Sequence, residues 1–564
     1  MIFKRITAFL FVAFFLMGQA PGAFSCTNFL VTKGASADGS VMITYAADSH
    51  TLYGELYFWP AQDWPAGSML DVTEWDTGKY LGKIKQVPHT YSVVGNMNEH
   101  QVSIGETTFG GREELSSQPG AIVDYGSLMY IALQRARTAR EAIAVMTSLV
   151  GEYGYASSGE SFSIADPDEA WIMEMIGKGQ GEKGAVWVAL RIPDGYVSGH
   201  ANQARITTFP LDDPKNCLYS RDVISFAREK GWFSGKNKDF SFSDVYAPVD
   251  FSAARFSEAR VWSGFNKIAS GMGQYAGYAS GKIEKGGENQ FALNRMPLWI
   301  KPDKSLTVQD VMGMMRDHYT GTPLDMTKDP GAGPFGLPYR WRGLTWKVDD
   351  QSYLNERAIS TQQTGFSFVA QSRRWLPDPV GGILWFSVDD SYSTVYVPMY
   401  CGITQVPEAY RTGNGDLLTY SETSAFWAFN QVANFAYLRY ADIITDVQKV
   451  QKELEDKFVS YVPHIDKAAA SLLESGNREL ALDFLTHFSV SEADGTVKRW
   501  KELYRYLLVK YIDGNVKKEE NGTFKRNEYG QPAMPHFPGY PEWWLRLIVN
   551  ATGDHLKVPA AATH

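Results

Sequence analysis

Cys26-Thr27-Asn28-Phe29-Leu30-Val31-Thr32, then Lys33-Gly34-Ala35-Ser36-Ala37-Asp38-Gly39, then Ser40-Val41-Met42-Ile43-Thr44-Tyr45-Ala46, is the stretch on which the reading of this chain turns. The outer pieces are apolar and β-branched, which suits strands. The middle piece carries two glycines and an Asp-Gly pair, which suits a hairpin loop. A strand that begins right after Cys26 holds that residue inside a sheet, where most chain termini fray.

What stands before Cys26 gives that placement a meaning. Residues 1–25 read as a secretory signal: Lys4 and Arg5 are a positive start, Ala8 to Met17 a short apolar core, and Ala23-Phe24-Ser25 a small-x-small cleavage site. Cutting after Ser25 puts a thiol and a free α-amine on one residue, a nucleophile carrying its own base. A thiol titrates near pH 8.5 and an α-amine near 7.7–8.0, so the amine can take the thiol proton at neutral pH without a histidine. From the residues alone three readings of Cys26 stand open: catalytic nucleophile, lipid attachment point of a surface protein, and inert thiol. A lipidated cysteine is usually preceded by a Leu-like residue at −3 and followed by a flexible polar tether. Here −3 is Ala23, −2 is bulky Phe24, and a strand starts at once.

The rest of the chain narrows the function classes. The 564 residues carry a net charge of −9, which argues against nucleic acid or an anionic membrane as the main partner. No second apolar run reaches membrane-span length. Three cysteines, Cys26, Cys217 and Cys401, are too few for a disulfide scaffold, and whether the last two pair is open. The ten histidines show no His-x-His or His-Glu-x-x-His spacing, so no zinc hydrolase motif is present, nor is a Gly-x-Ser-x-Gly elbow. Gly331-x-Gly333-x-x-Gly336 fits a dinucleotide pattern by letters only, because Pro334 and Pro338 leave no helix behind it.

Strands are expected across 90–110, near 162–164, 171–176, 186–192 and 196–199, and in 380–400. Helices are expected over 123–150, 219–230, 253–269 and 498–512. Ile443, Val447, Val450, Leu454 and Phe458 recur at helical spacing, so the pattern beyond about 425 is helical. Residues 531–541, rich in Pro, read as a fixed loop. Strands grouped with strands and helices with helices point to an α+β fold with layered sheets rather than repeated βαβ units.

Further motifs recur in order after Cys26-Thr27-Asn28, the 35–40 loop and Asp48-Ser49. They are Asn96-Met97-Asn98-Glu99 with Glu106-Thr107-Thr108, then Ala165 to Trp171, then His200-Ala201-Asn202-Gln203-Ala204-Arg205-Ile206. After these come Ala254-Arg255-Phe256-Ser257-Glu258-Ala259-Arg260-Val261-Trp262, then Gly321-Thr322-Pro323 through Tyr339-Arg340-Trp341, and Val509-Lys510-Tyr511. Together they resemble PepD-type dipeptidases. These are N-terminal-nucleophile cysteine peptidases, distantly related to choloylglycine hydrolases and penicillin V acylases. The resemblance implies a four-layer αββα sandwich over 26–424, after a signal peptide at 1–25, with a helical C-terminal region over 425–564 packed on it. It implies a hydrolase of small peptides that needs no cofactor or metal and works through a Cys26 thioester, and the signal segment makes it secreted or periplasmic. An acylase of a non-peptide amide is the alternative within enzymes.

Position by position, the resemblance makes Cys26 the nucleophile, Asp48 the acid that orients its amine, and Asn98 a backbone oxyanion donor. Asn202 becomes the side-chain oxyanion donor and Arg255 the cation near the nucleophile. Arg260 competes with Arg255 for that role. Glu106 is weighed as a contact for a substrate amine against a buried structural carboxylate. Tyr45 departs from the pattern: the related sequences often carry arginine there, so a positive charge beside the thiol is lost.

Overall fold

The computed structural model describes residues 26–559 except Arg342; the expected signal segment 1–25 lies outside the described residues. The leading hairpin forms as its sequence directs. β1 (Asn28–Val31) pairs with β2 (Val41–Asp48) antiparallel, and Thr27 extends the pairing to Ala46. All eight residues of β2 are buried, as befits an interior strand of the sheet, its polar Thr44 and Asp48 being hydrogen-bonded.

The chain continues through β3 (Phe58–Trp59), β4 (Val93–Val94), β5 (Met97–Asn98), β6 (Ser103–Gly110), β7 (Gly159–Ala165), β8 (Ala170–Gly177) and β9 (Ala185–Arg191). β10 (Val197–His200), β11 (Cys217–Tyr219), β12 (Trp299–Ile300), β13 (Thr364–Ser372), β14 (Gly382–Val388) and β15 (Val397–Tyr400) complete two large antiparallel sheets. The first has the order β12-β10-β1-β2-β13-β14-β15, the second β11-β9-β8-β7-β6-β5-β4-β3. β1 and β2 of the first pack across onto β6 and β7 of the second.

Helices complete the core. α1 (Tyr125–Leu133) and α2 (Ala139–Tyr153) bury their apolar faces with β6, β7 and β9 in one cluster. The sequence suggests one helix across 123–150; the structure breaks it, because Thr138 is extended and caps α2 by accepting from the Glu141 N–H. A turn of π-helix, Ala253–Glu258, runs into α3 (Ala259–Ile268), and α4 (Val308–Met315) packs on β2 and β13. The helix expected over 219–230 is shorter, Ser225–Glu229. Cys217–Tyr219 is instead drawn into pairing with Val188–Leu190 at the edge of the second sheet.

From 425 to 511 the structure is helical as expected; a short hairpin, Glu519–Glu520 with Thr523–Phe524, and loops follow before a last α-helix, Glu542–Thr552. α5 (Ala425–Leu438) packs on β14, while α6 (Tyr440–Glu474) and α7 (Arg478–Tyr511) pack on β15 and each other. The helix expected at 498–512 is the last third of α7. Buried pairs lock α6 to the layers below: Arg373, just past β13, with Asp466 at 2.5 Å and Arg316, just past α4, with Glu455 at 2.5 Å. Among the described residues no helix is long and apolar enough to cross a membrane.

Two glycines set how closely the layers approach one another. A Cβ at Gly105 in β6 would fall 2.7 Å from Asn28 Nδ2 and 3.2 Å from Tyr45 Cβ, so its absence lets the two sheets close on each other. A Cβ at Gly264 in α3 would fall 2.2 Å from Phe29 Cζ, so its absence lets α3 lie flat on β1. Gly264→Ala is therefore expected to destabilise the fold by about 1–3 kcal/mol. Gly151→Ala in α2, with open space around it, should be neutral or stabilising by up to about 1 kcal/mol. Urea midpoints of the two variants check this; equal shifts would contradict the packing described.

Candidate active site

Cys26 sits where the leading strand enters the space between the sheets and is 3 % exposed. Its backbone is pinned from two sides. The Thr27 N–H donates to Ala46 O at 3.3 Å and the Ala46 N–H to Thr27 O at 3.0 Å. Arg260 Nη1 donates to Cys26 O at 2.5 Å and to Thr27 Oγ1 at 2.8 Å. The same guanidinium reaches Ala201 O at 3.1 Å and Asn202 Oδ1 at 2.7 Å through Nη2, and Phe256 O at 2.8 Å through Nε. Gly264, one turn further along α3, is what brings Arg260 this close to β1.

The thiol faces two oxygens. Cys26 Sγ lies 3.7 Å from Glu106 Oε1 and 3.8 Å from Tyr45 Oη, and Tyr45 donates its phenol proton to Glu106 Oε1 at 2.5 Å. Tyr45 reaches Glu106 because β2 and β6 belong to the two sheets that pack face to face. Cys26, Tyr45 and Glu106 line one cavity together with Asp48, Asp76 and Tyr125. Asp76 and Tyr125 also line an adjoining cleft of about 700 Å³, whose wall includes Glu160, Asn202 and Arg260. Among the described residues no histidine lines either space.

The electrostatics keep the thiol protonated. Burial pushes the Cys26 thiol well above its ordinary range, and the charges of Glu106 and Asp48 push it further. The Asp48 backbone N–H and the Tyr45 phenol act the other way. Burial raises Glu106 to about 7. Glu160, across from it, is also raised, first by burial and then by Glu106. Burial, and then Arg357, lowers Arg260 to about 9. Position 45 thus brings the thiol a phenol bonded to a carboxyl, and the nearby cations, Arg260 and Arg357, arrive from other elements.

The expected site residues separate into two groups. Asp48 is at the site: the β1–β2 register sets Ala47 opposite Cys26, so Asp48 is the next residue along β2, and both line the same cavity. Its carboxylate accepts from Arg357 Nη2 at 2.6 Å and from Thr364 Oγ1 at 2.5 Å. Asn202 is also there, in a left-handed conformation with φ 60, its Nδ2 donating to Thr108 O at 2.7 Å while Arg260 holds its Oδ1. An amide nitrogen has two protons, so one N–H of Asn202 is left for a ligand.

Asn98 and Arg255 are placed elsewhere. Asn98 donates its N–H to Val102 O at 2.9 Å, and its side chain ties Leu133 O and Ala136 O to the turn before β6, so its donors are spent on structure. Arg255, five residues before Arg260 across the π-turn, pairs with Glu356 through Nε at 3.0 Å. Arg260 takes the position by the nucleophile instead. Arg357, Glu160 and Asp76 carried no local signal in the sequence; sheet packing alone brings them in. Cys217 and Cys401 are buried and unpaired.

A neutral thiol beside carbonyl-binding donors, in a cleft with room for a small molecule, can carry out acyl transfer once a base removes its proton. In the full-length chain, alkylation of Cys26 by iodoacetamide should therefore stay slow through pH 8 and keep rising above pH 9. A raised pKa leaves the thiolate scarce until the pH passes it. Mass spectrometry of the Cys26 peptide reads this out, and a plateau below pH 8 would contradict it.

The comparisons with known proteins agree with the motif pattern. The model of peptidase family C69 matches residues 55–453, which include Glu106, Glu160, Asn202, Arg260 and Arg357. A probable dipeptidase of Latilactobacillus sakei is 24% identical over 498 residues, covering 83% of this chain and 93% of that protein. Probable dipeptidase B of Streptococcus pyogenes serotype M1 is 21% identical over 504 residues, covering 86% of this chain and 93% of its own. A probable dipeptidase of Salmonella dublin is 23% identical over 397 residues, 67% of this chain and 81% of its own.

Proposed function

The chain belongs to peptidase family C69, and from that premise we propose that it is an exported dipeptidase whose nucleophile is Cys26, released with its α-amine by cleavage after Ser25. The observation that carries this reading is the setting of Cys26: a buried thiol on a cavity wall, at the head of a strand, its carbonyl gripped by Arg260. The related dipeptidases lend the substrate class. The two facing sheets with helices against them fit the N-terminal-nucleophile sandwich.

The chemistry follows from the parts. The α-amine takes the Cys26 proton, and the thiolate attacks the peptide carbonyl. The oxyanion that forms is met by the second N–H of Asn202. Asp48 stands where it can hold and orient the amine. The resulting ammonium returns its proton to the leaving amine, and the thioester is then opened by water under the same base. Arg260 keeps the Cys26 backbone and the Asn202 amide in one frame.

Cys26→Ala should lower dipeptide turnover at least a thousandfold, the order seen when a covalent nucleophile is removed. A form with one Met ahead of Cys26 should fold and bind but not turn over, because its amine lies on the wrong residue. Intact mass of the exported protein should show a bare Cys26 as first residue. A diacylglyceryl adduct, or turnover retained in Cys26→Ala, would refute the proposed nucleophile.

A second expectation concerns the arginine. Arg260→Lys should lower kcat/KM by at least about tenfold, since one ammonium cannot hold Cys26 O, Thr27 Oγ1 and Asn202 Oδ1 together. Arg255→Lys should change it far less. The reverse order would contradict the assignment.

A further inference from the structure

Glu106 and Glu160 face each other on neighbouring strands, between the Cys26 cavity and the larger cleft. Both carboxyls are 1 % exposed. One oxygen of each is satisfied: Glu106 Oε1 by Tyr45, Glu160 Oε1 by Thr108 Oγ1 at 2.9 Å. Neither Glu106 Oε2 nor Glu160 Oε2 receives an N–H or O–H from a neighbouring group. Burial raises Glu160 well above the ordinary carboxyl range, and the neighbouring Glu106 raises it further. Asp76, whose Oδ1 accepts from Tyr125 at 2.8 Å, stands where the two spaces meet. Among the described residues the only lysine or arginine lining either space is Arg260, which grips Cys26, Thr27, Ala201 and Asn202.

Buried acceptors without donors are costly, and a wall of carboxyls with no cation of its own selects a positively charged ligand. We propose that the Glu106–Glu160 carboxyl pair, backed by Asp76, binds the free α-ammonium of the substrate, so that the residue attacked by Cys26 is the N-terminal residue of the peptide. This deepens the dipeptidase reading and rests on it.

Bond lengths allow the fit. In an amino-terminal residue the ammonium nitrogen lies about 2.5 Å from its carbonyl carbon. An attacking atom stands about 3–3.5 Å from that carbon in a near-attack geometry. An ammonium–carboxylate hydrogen bond is about 2.8 Å long. A chain of these three lengths closes on the 3.7 Å that separates Cys26 Sγ from Glu106 Oε1. The bound ammonium then supplies N–H donors to the two orphaned oxygens. A blocked or extended amino end sets a neutral amide there, which cannot neutralise the pair. The pocket thus measures one residue on the acyl side, which gives a physical reason for removing single N-terminal residues.

The test separates this site from the nucleophile by measuring binding without turnover. The Cys26→Ala protein is titrated by calorimetry with alanyl-alanine, leucyl-glycine and phenylalanyl-alanine. Each is compared with its desamino counterpart: propionyl-alanine, 4-methylpentanoyl-glycine and 3-phenylpropanoyl-alanine. At least one dipeptide should bind about tenfold or more tightly than its desamino partner, as a buried charge pair requires. Glu106→Gln and Glu160→Gln, each added to Cys26→Ala and checked for folding by circular dichroism, should erase that preference. Equal affinity within every pair, no binding of any dipeptide, or a preference retained in both variants would overturn the proposal. The comparison of ligands stands even if a variant misfolds. Turnover by the Cys26 protein is measured separately; its failure alongside an intact ammonium preference would remove the nucleophile reading and leave this site standing.

Discussion

The guanidinium of Arg260 is the constraint on which the site depends. One buried cation joins the carbonyl of Cys26, the hydroxyl of Thr27, the carbonyl of Ala201 and the amide of Asn202. These groups come from two neighbouring strands of one sheet, and the cation comes from a helix laid on it. Two features bring it there: Gly264 lets α3 touch Phe29, and the π-turn ahead of α3 shifts the helical phase between Arg255 and Arg260. Such insertions recur at functional sites because they re-aim one side chain without moving a whole helix. A buried arginine is favourable only when its donors are met, and here five acceptors meet it, the fifth being Phe256 O.

The surroundings of the thiol run against the common design of a reactive cysteine. Low-pKa thiols sit beside cations or helix N-termini. Cys26 sits beside Glu106 and Asp48, with the Tyr45 phenol next to its sulfur. This makes sense if the base is the residue's own α-amine. A neutral thiol at rest avoids a buried anion among carboxylates, and the amine supplies the charge separation only during attack. Glu106, which opposes thiolate formation, is then also one of the carboxyls that hold the substrate's ammonium, so one charge both disfavours the resting thiolate and favours the right ligand.

Much of this was legible in the sequence, and the rest was not for definite reasons. The β1–β2 hairpin, the helical run beyond 424 and the place of Cys26 rest on local patterns: alternation, an Asp-Gly turn, periodic apolar residues. Asp48 follows from the same hairpin, since register alone sets it beside the head of β1. The choice between Arg255 and Arg260 depends on a π-turn that no side-chain pattern announces. Asn98 has the composition of a donor but spends its groups inside a turn. Glu106 could be weighed but not decided, because its meaning depends on Glu160 and Asp76, which meet it only through sheet pairing and cavity shape. Arg357 reaches Asp48 from 309 residues away, a contact that only the assembled sheets define.

The central claim is that Cys26 becomes covalently acylated by the amino-terminal residue of a dipeptide. The direct measurement is mass spectrometry of the processed enzyme mixed with leucyl-glycine and quenched in acid within milliseconds. The account predicts a peptide beginning at Cys26 that carries one leucyl group as a hydroxylamine-labile thioester. A glycine-bearing adduct, or an acyl group on any other residue while turnover proceeds, would contradict it.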